Sequence, residues 1–457
     1  MRMQVFFSGN VPFCLAKPTW KYPAATTGNV LPLPGRHARV VALIFVAVLS
    51  GGFTLHPSQA ADWPEFRGPG GAGHADSQPL PVHWDQATNV VWKVKIPGKG
   101  WSSPVIHRGK LFLTTAVVIS KDQEATEHVL RTVCLDPSSG KIVWDTEVFR
   151  VPVGTRTASH GKNSHASPTP IANGDRVYVH FGTMGTAALD LNGAVVWRNQ
   201  SFSFDPVHGN GGSPILSGER LVFNCDGDDK AFVVALDCNT GATIWKTDRP
   251  SAQSETFSFA TPLEISVNGQ KQIVSPGSHA VCSYNSENGK ELWRVGYPNR
   301  WSVIPRPVYA EGLVFICTGY VGPPSLLAIR PDGQGDVTET HVAWQTDKYV
   351  PHTPSPAVVG KSLFLISDQG IATCRDVATG ELHWRERLGG KYSASPLVAN
   401  GLIYIQSEEG ECCVYEAAKE FLEQSRNDLG ERSLASFAVW ERAFYIRTME
   451  HLYCIRK

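Results

Sequence analysis

The sequence has little charge and no surplus of either sign. Charged side chains make up 18% of the 457 residues, and Lys plus Arg equals Asp plus Glu at 42 each. No global field therefore favours nucleic acid or an anionic membrane surface. There is no Walker loop, no nucleophile elbow and no HExxH, so the usual sequence marks of nucleotide, serine-hydrolase or zinc-protease chemistry are missing. The one long apolar run, Val40 to Leu55, is short and broken by glycine, which disfavours a permanent transmembrane helix. What the chain does have is turn residues and rings, with 42 Gly, 31 Pro and 10% aromatics. That composition suits a β-rich exported protein.

The organisation is a repeat. Cys374-Arg375-Asp376-Val377-Ala378-Thr379-Gly380 leads through a second strand to Trp384. Asp376 and Thr379 can accept hydrogen bonds from N–H groups of the turn, and Gly380 supplies the positive φ that closes the hairpin. The pattern recurs from Cys134 to Trp144, Ala235 to Trp245 and Asn285 to Trp293, and in shorter form from Leu189 to Trp197 and Ile329 to Trp344. Before each unit stands a Ser-Pro-like pair and an apolar hairpin. The pairs are Ser103-Pro104, Ser167-Pro168, Ser213-Pro214, Thr261-Pro262, Arg306-Pro307, Ser355-Pro356 and Ser395-Pro396, with Ser436-Phe437 as a degenerate eighth. A period of roughly 40–64 residues is that of propeller blades with variable loops.

Trp92 has no hairpin before it, and the last unit, Ser436 to Ile455, has no tryptophan after it. An all-β, eight-bladed propeller of four-stranded antiparallel blades follows, with the N-terminal strand as outer strand of the last blade. Seven blades plus a cap is the alternative. The structural docking residues are then Trp92, Trp144, Trp197, Trp245, Trp293, Trp344 and Trp384. Three departures stand out. Unit one carries a long polar hairpin loop from Ser120 to His128. Unit seven runs from Glu416 to Asp428 without a tryptophan, as an irregular outer strand or short helix. Arg442 stands where most units have a turn glycine, which suggests another turn type.

Residues 1–60 read as a leader. Arg36 and Arg39 precede the apolar run, and Ser58-Gln59-Ala60 has the small residues of a cleavage site, so export with cleavage near Ala60 is expected. The signal begins late, and residues 1–35 suggest a mis-called gene start. Residues 61–88 form a Gly/Pro-rich segment laid over one face, and 89–457 form the propeller.

Cys134, Cys374 and Cys454 occupy a register that holds Ala188, Ala235 and Ala328 in other units, as expected of small buried apolar residues. The adjacent Cys412 and Cys413 fit either a strained vicinal disulfide or two strand residues facing opposite ways. Candidate ligand-binding residues sit in loops leading into the inner strands, at the channel mouth: His160, His165, His208, Arg300, Trp301, Arg306 and His352. They could ring a ligand, or simply hydrogen-bond the loops of a solvated channel. The run Asp226-Gly227-Asp228-Asp229 lacks the spacing and terminal Glu of a calcium loop and reads as a hairpin turn.

The Asp-x-x-Thr-Gly-x-x-x-Trp units with Ser-Pro openings resemble the tryptophan-docking repeats of pyrroloquinoline quinone (PQQ) propellers, over about residues 89–457. The resemblance has two branches: the quinoprotein alcohol dehydrogenases, and non-enzymatic PQQ-like propellers including the outer-membrane assembly lipoprotein BamB. The dehydrogenases imply a calcium ion held by acidic and amide side chains, an Asp base and a vicinal disulfide. Here Cys412-Cys413 falls late in the chain, no cluster matches those calcium ligands, and there is no haem CxxCH. The resemblance therefore implies a periplasmic or secreted binding or scaffold module for protein or cell-envelope partners. No catalytic residue, metal, PQQ or nucleic acid is expected, and the chain is expected to be monomeric. The alternative is a PQQ-dependent alcohol or sugar dehydrogenase.

Overall fold

The computed structural model describes residues 61–457 except 76–78, 123–124, 152–158 and 250, so the expectations for the leader lie outside the described residues. Eight antiparallel four-stranded sheets account for nearly all of it. Blades 1 to 7 span 105–151, 171–199, 215–248, 263–296, 308–346, 357–387 and 397–428 in chain order. Blade 8 joins Ala438–Trp440, Ala443–Arg447 and His451–Arg456 to the N-terminal strand Val90–Lys95. First strands of neighbouring blades contact one another and line the channel. In the closing strand Trp92 faces Cys454 and Lys93 faces Tyr453, so no unpaired seam is left between the chain's two ends. The fold is the eight-bladed one, not seven blades with a cap.

The tryptophans tie each blade to the next. The indole N–H donates to a carbonyl oxygen in the following blade's outer turn: Trp92 to Pro137 at 3.0 Å, Trp144 to Leu191 at 3.1 Å, Trp197 to Cys238 at 2.9 Å and Trp245 to Ser286 at 3.2 Å. Trp344 reaches Val377 and Trp384 reaches Ala418 at 3.0 Å each. The ring lies on the turn glycine of that next blade. A Cβ at Gly140, Gly193, Gly241, Gly289 or Gly380 would stand 2.5–2.8 Å from the preceding blade's indole. The glycine therefore serves the interface as well as the hairpin. Directly across the strand from each tryptophan is a small residue, Cys134, Ala188, Ala235, Ser283, Ala328, Cys374 or Cys454. This pairing accounts for the exchange of Cys with Ala along the repeat.

Trp293 departs from the rule. Its N–H donates to Gln272 Oε1 within its own blade at 2.9 Å, and Gln272 Nε2 in turn donates to Pro331 of blade 5 at 3.4 Å. The connection after Ile329 folds back here. Gly335–Asp336 adds a short parallel strand beside Trp293 and Arg294, covering the outer edge of blade 4 and burying Trp293 completely.

Blade 7 lacks an outer tryptophan, and Ser425 faces Val414 where the other blades have a small residue facing Trp. The N-terminal segment fills the gap. Trp84, buried, stacks 6.4 Å from Tyr404 of blade 7 and 5.3 Å from Phe444 of blade 8, measured between ring centres. Asn427 fastens it, its Oδ1 accepting the Trp84 backbone N–H at 2.8 Å and its Nδ2 donating to Val82 O at 3.0 Å.

Several local expectations are corrected. The long loop of unit one is an extension of the sheet, with strands Lys110–Asp122 and Ala125–Leu135. The outer segment of blade 7 is a strand from Glu423 to Asp428, not a short helix, with a register shift opposite Val414 and Tyr415. The last hairpin uses the same turn as blades 1, 4, 5 and 7: Glu441 (φ 48°) and Arg442 (φ 62°) both take the left-handed conformation that Arg108-Gly109 and Asn400-Gly401 also adopt. All nine cysteines among the described residues are free and buried. Cys412 and Cys413 point into two different apolar clusters, as alternating strand residues do. Asp226 ends a strand before a hairpin turn and is buried in an ion pair with Arg249 at 3.0 Å.

Candidate functional site: a blind aromatic funnel

The Ser-Pro pairs do more than start strands. Except for Thr261, whose counterpart Arg306 has no side-chain oxygen, each of these opening residues donates its backbone N–H to the side-chain oxygen of its counterpart in the next blade. Ser103 donates to Thr169, Thr169 to Ser213 and Ser213 to Thr261, at 2.9–3.0 Å. Arg306 donates to Ser355, Ser355 to Ser395, Ser395 to Ser436 and Ser436 back to Ser103, at 2.9–3.2 Å. The hydroxyls form a belt around the channel. The blade 2 member is Thr169 of Thr169-Pro170, not Ser167-Pro168; the Ser167 hydroxyl lies 3.0 Å from that of Ser164.

Blade 5 contributes Arg306 instead of a hydroxyl, and this residue marks the floor. Its guanidinium, buried inside the ring, donates to Pro262 O at 3.2 Å, to Phe66 O at 2.7 Å and to Glu65 at 2.9 Å. The segment 61–75 runs across this end of the channel like a cork. Trp63 pairs with Ile106 of blade 1, and Pro64 O accepts the Ala172 N–H of blade 2. Arg67 donates to Pro356 O of blade 6 at 2.7 Å, and Ala75 N–H reaches Val398 O of blade 7 at 2.8 Å. The opening Trp63-Pro64-Glu65-Phe66-Arg67-Gly68 is thereby explained. Gly68 lies under the Trp63 indole, Gly71 leaves no room for a Cβ beside Arg306, and Arg67 is buried. Burial, with the Arg306 charge second, lowers the Arg67 guanidinium to a pKa of about 9.

Above the floor a cavity of about 570 Å³ opens to the mouth. Phe66 closes it below, and Trp101, Phe257, Phe259, Trp301 and Tyr320 supply flat apolar walls. Of the predicted site residues, His160, His208 and Trp301 line it. His160 and His208 face each other at 5.7 Å between ring centres, and burial and His160 lower the pKa of His208. The others do not converge. Arg306 lies in the floor network. The His352 ring stacks on Tyr320 at 4.0 Å, and its backbone N–H donates to Asp368 at 2.7 Å. His165 packs on His128, and burial with that neighbour lowers its pKa to about 4. Arg300 is absent from the lining and offers its carbonyl to the His279 N–H. Lys162 reaches from the join between blades 1 and 2 to Glu408 of blade 7 at 2.6 Å. Sequence reasoning missed the walls, because the position two residues before each belt residue, which holds Trp101 and Phe259, holds Ser167, Gly211 and Thr353 in other blades and shows no common residue type, and it missed Phe66, which acts from outside the blades.

The comparisons with known proteins agree with the propeller fold. The family model described as outer membrane protein assembly factor BamB matches residues 82–256, 229–334 and 335–420. The chain belongs to this BamB family. BamB of Bordetella pertussis (strain Tohama I) is 24% identical over 294 residues, covering 62% of this chain and 68% of that protein. Among solved structures, BamB from Moraxella catarrhalis has a TM-score of 0.56 at 13% identity, covering 80% of this chain and 97% of that one. A europium-containing methanol dehydrogenase reaches the same TM-score at 9% identity, covering 86% and 90%. At these identities both structures speak to the fold alone.

Proposed function

We propose that the protein is a non-catalytic propeller of the cell envelope that serves as a scaffold for protein partners in outer-membrane protein assembly; its BamB relatives are named outer membrane protein assembly factors. The observation that carries this reading is the floor of the channel. Arg306, Glu65 and Phe66 fill it with the chain's own side chains. The donor set also fits the calcium–quinone pair of the dehydrogenase branch poorly. No Asp or Glu is among the described residues of the lining, no cluster of three or more His, Cys, Asp or Glu is found among the described residues, and Cys412 and Cys413 are packed inside blade 7. The reading therefore involves no PQQ or metal. Export after cleavage near Ala60 and a periplasmic location belong to the same proposal, as does a monomer, since one chain completes the ring. No helix among the described residues is long and apolar enough to cross a membrane.

The test is deletion of the gene together with direct binding. Loss of the protein should lower the amount of folded β-barrel protein in the outer membrane, and the purified chain should bind the purified outer-membrane assembly machinery of the same organism. An unchanged outer membrane and no binding would contradict the proposal. Cofactor absorbance and dye reduction with an alcohol or sugar after incubation with PQQ and calcium would favour the dehydrogenase reading.

A further inference from the structure

The funnel is a built site that scaffolding does not require. It is closed at the floor and open at the mouth, and its volume of about 570 Å³ falls in the usual range of small-molecule sites. Aromatic rings and hydroxyls share its lining. The walls are rings, chiefly Trp101, Phe257, Phe259 and Trp301. The belt at the base is hydroxyls. Each oxygen, as in Thr169, Ser213 and Ser395, already accepts one backbone N–H. A hydroxyl has two lone pairs and one proton, so each keeps one donor and one acceptor for the lumen.

Charge narrows the ligand class. The described lining contains no carboxylate, and the chain's own Arg432 already lies over the Trp101 ring at 6.0 Å, so a cationic ligand would find ring faces but no counter-charge. The lysine of the lining, Lys162, is held by Glu408 at 2.6 Å, and Arg432, which lies over the Trp101 ring, approaches the same carboxylate at 3.6 Å. An anionic ligand would have to compete with Glu408. The Glu408 carboxylate is buried, which by itself raises its pKa, but hydrogen bonds from Lys162 and Ser393 outweigh that and lower it. A purely apolar ligand would cover the belt and leave its hydroxyls desolvated and unmatched, which opposes its binding.

What remains is an uncharged ligand that has flat apolar C–H faces and, at its edges, groups that both donate and accept. We propose that the funnel is a saccharide-binding site, taking a neutral sugar ring or the end of a neutral glycan, with Trp101 and Trp301 as the wall surfaces and the Ser/Thr belt as partner for its hydroxyls.

Calorimetric titration of the full-length exported protein with glucose, N-acetylglucosamine, cellobiose and chitobiose tests this. Glucuronate, indole-3-acetate and acetyl-phenylalanine amide serve as charged, aromatic and peptide-like comparisons. At least one neutral saccharide should bind saturably and more tightly than all three comparisons. Trp101→Leu and Trp301→Leu should each weaken that binding about tenfold or more, which is about 1.4 kcal/mol, with an unchanged melting temperature. His160→Gln, at the mouth, gives a second variant should either tryptophan replacement fail to fold. No binding of any neutral saccharide at millimolar concentration would overturn the proposal. So would equal binding by the folded variants, or tighter binding of a comparison compound. These outcomes are independent of whether the protein scaffolds outer-membrane assembly.

Discussion

Gly241 lies directly beneath Trp197: a Cβ built on the glycine would stand 2.5 Å from the indole of the preceding blade. Its φ of 73° is a second constraint. Gly269 has a φ of 80° but nothing within 4 Å of its Cβ position, so it separates the two effects. Gly269→Ala should cost about 1–2 kcal/mol, the penalty of a left-handed L-residue. Gly241→Ala should cost about 1–3 kcal/mol more, as overpacking does. Urea unfolding of both variants measures the difference, and equal losses would remove the interface role of the turn glycine.

The tryptophan itself should weigh more. Trp245 is buried and bonded to Ser286 O at 3.2 Å, and Trp245→Ala should cost about 3–5 kcal/mol. The relayed contact in blade 4 makes a separate expectation. Gln272→Met leaves the Trp293 N–H and the Ser283 hydroxyl without their shared acceptor, and should cost about 1–3 kcal/mol. A neutral Gln272→Met would show that the relay contributes nothing.

The blades were legible because Asp-x-x-Thr-Gly and Trp recur, and recurrence survives the loss of any one signal. Ring closure was legible because Trp92 and the last hairpin each lacked what the other had. Residues 61–88 could be placed over one face, but the contacts that make a cork of them and the joint between blades 7 and 8 were not legible. Trp63 and Trp84 occur once each, in a segment without periodicity, and their partners lie more than 300 residues away in the case of Trp84 and Asn427. Arg306 drew attention as a polar residue near the mouth, but its side chain turns to the floor. Its position before Pro307 showed the blade it belonged to, while only the fold shows that Glu65 awaits it. Likewise the Ser-Pro pairs were visible as strand openings, but their linkage into a belt depends on neighbours 40 to 66 residues apart, and on Ser436 and Ser103 at the closure, meeting in space.

Acid should loosen the closure of blade 8. Glu431 is a hub of this blade, and Lys93 of the closing strand lies 3.6 Å from it. Burial alone would raise the Glu431 carboxyl, but hydrogen bonds from Thr448, the Glu450 N–H, His451 and Tyr453 outweigh it and hold the pKa at about 2, against an ordinary 4.5. A folded pKa below the unfolded one means that this stabilisation is complete above about pH 4.5 and is lost as pH falls toward 2. Glu431→Gln should therefore be less stable than the parent at neutral pH, with a deficit that shrinks between pH 4.5 and 2. A deficit constant across that window, measured by denaturant unfolding, would contradict this.

The final hairpin offers a gain. Glu441 and Arg442 adopt left-handed angles in a turn that favours Asn-Gly. Replacing the pair by Asn-Gly should stabilise the protein by about 1 kcal/mol, since the left-handed penalty falls. A lowered melting temperature would mean that the present side chains hold the turn more strongly than their backbone strain opposes it.

The central structural claim is that the N-terminal segment belongs to the ring, corking the channel and turning it into a blind funnel. Amide hydrogen exchange on the intact protein tests it most directly. The Trp63 and Ala75 amides donate at 2.8 Å to Ile106 O and Val398 O, and return bonds from Ile106 to Trp63 O and Val398 to Gly73 O have the same length. Peptides covering 61–75 should therefore exchange as slowly as the inner strands of blades 1 and 7. Exchange of that segment within seconds, beside protected blades, would show a loose tail and an open channel, and would contradict the account.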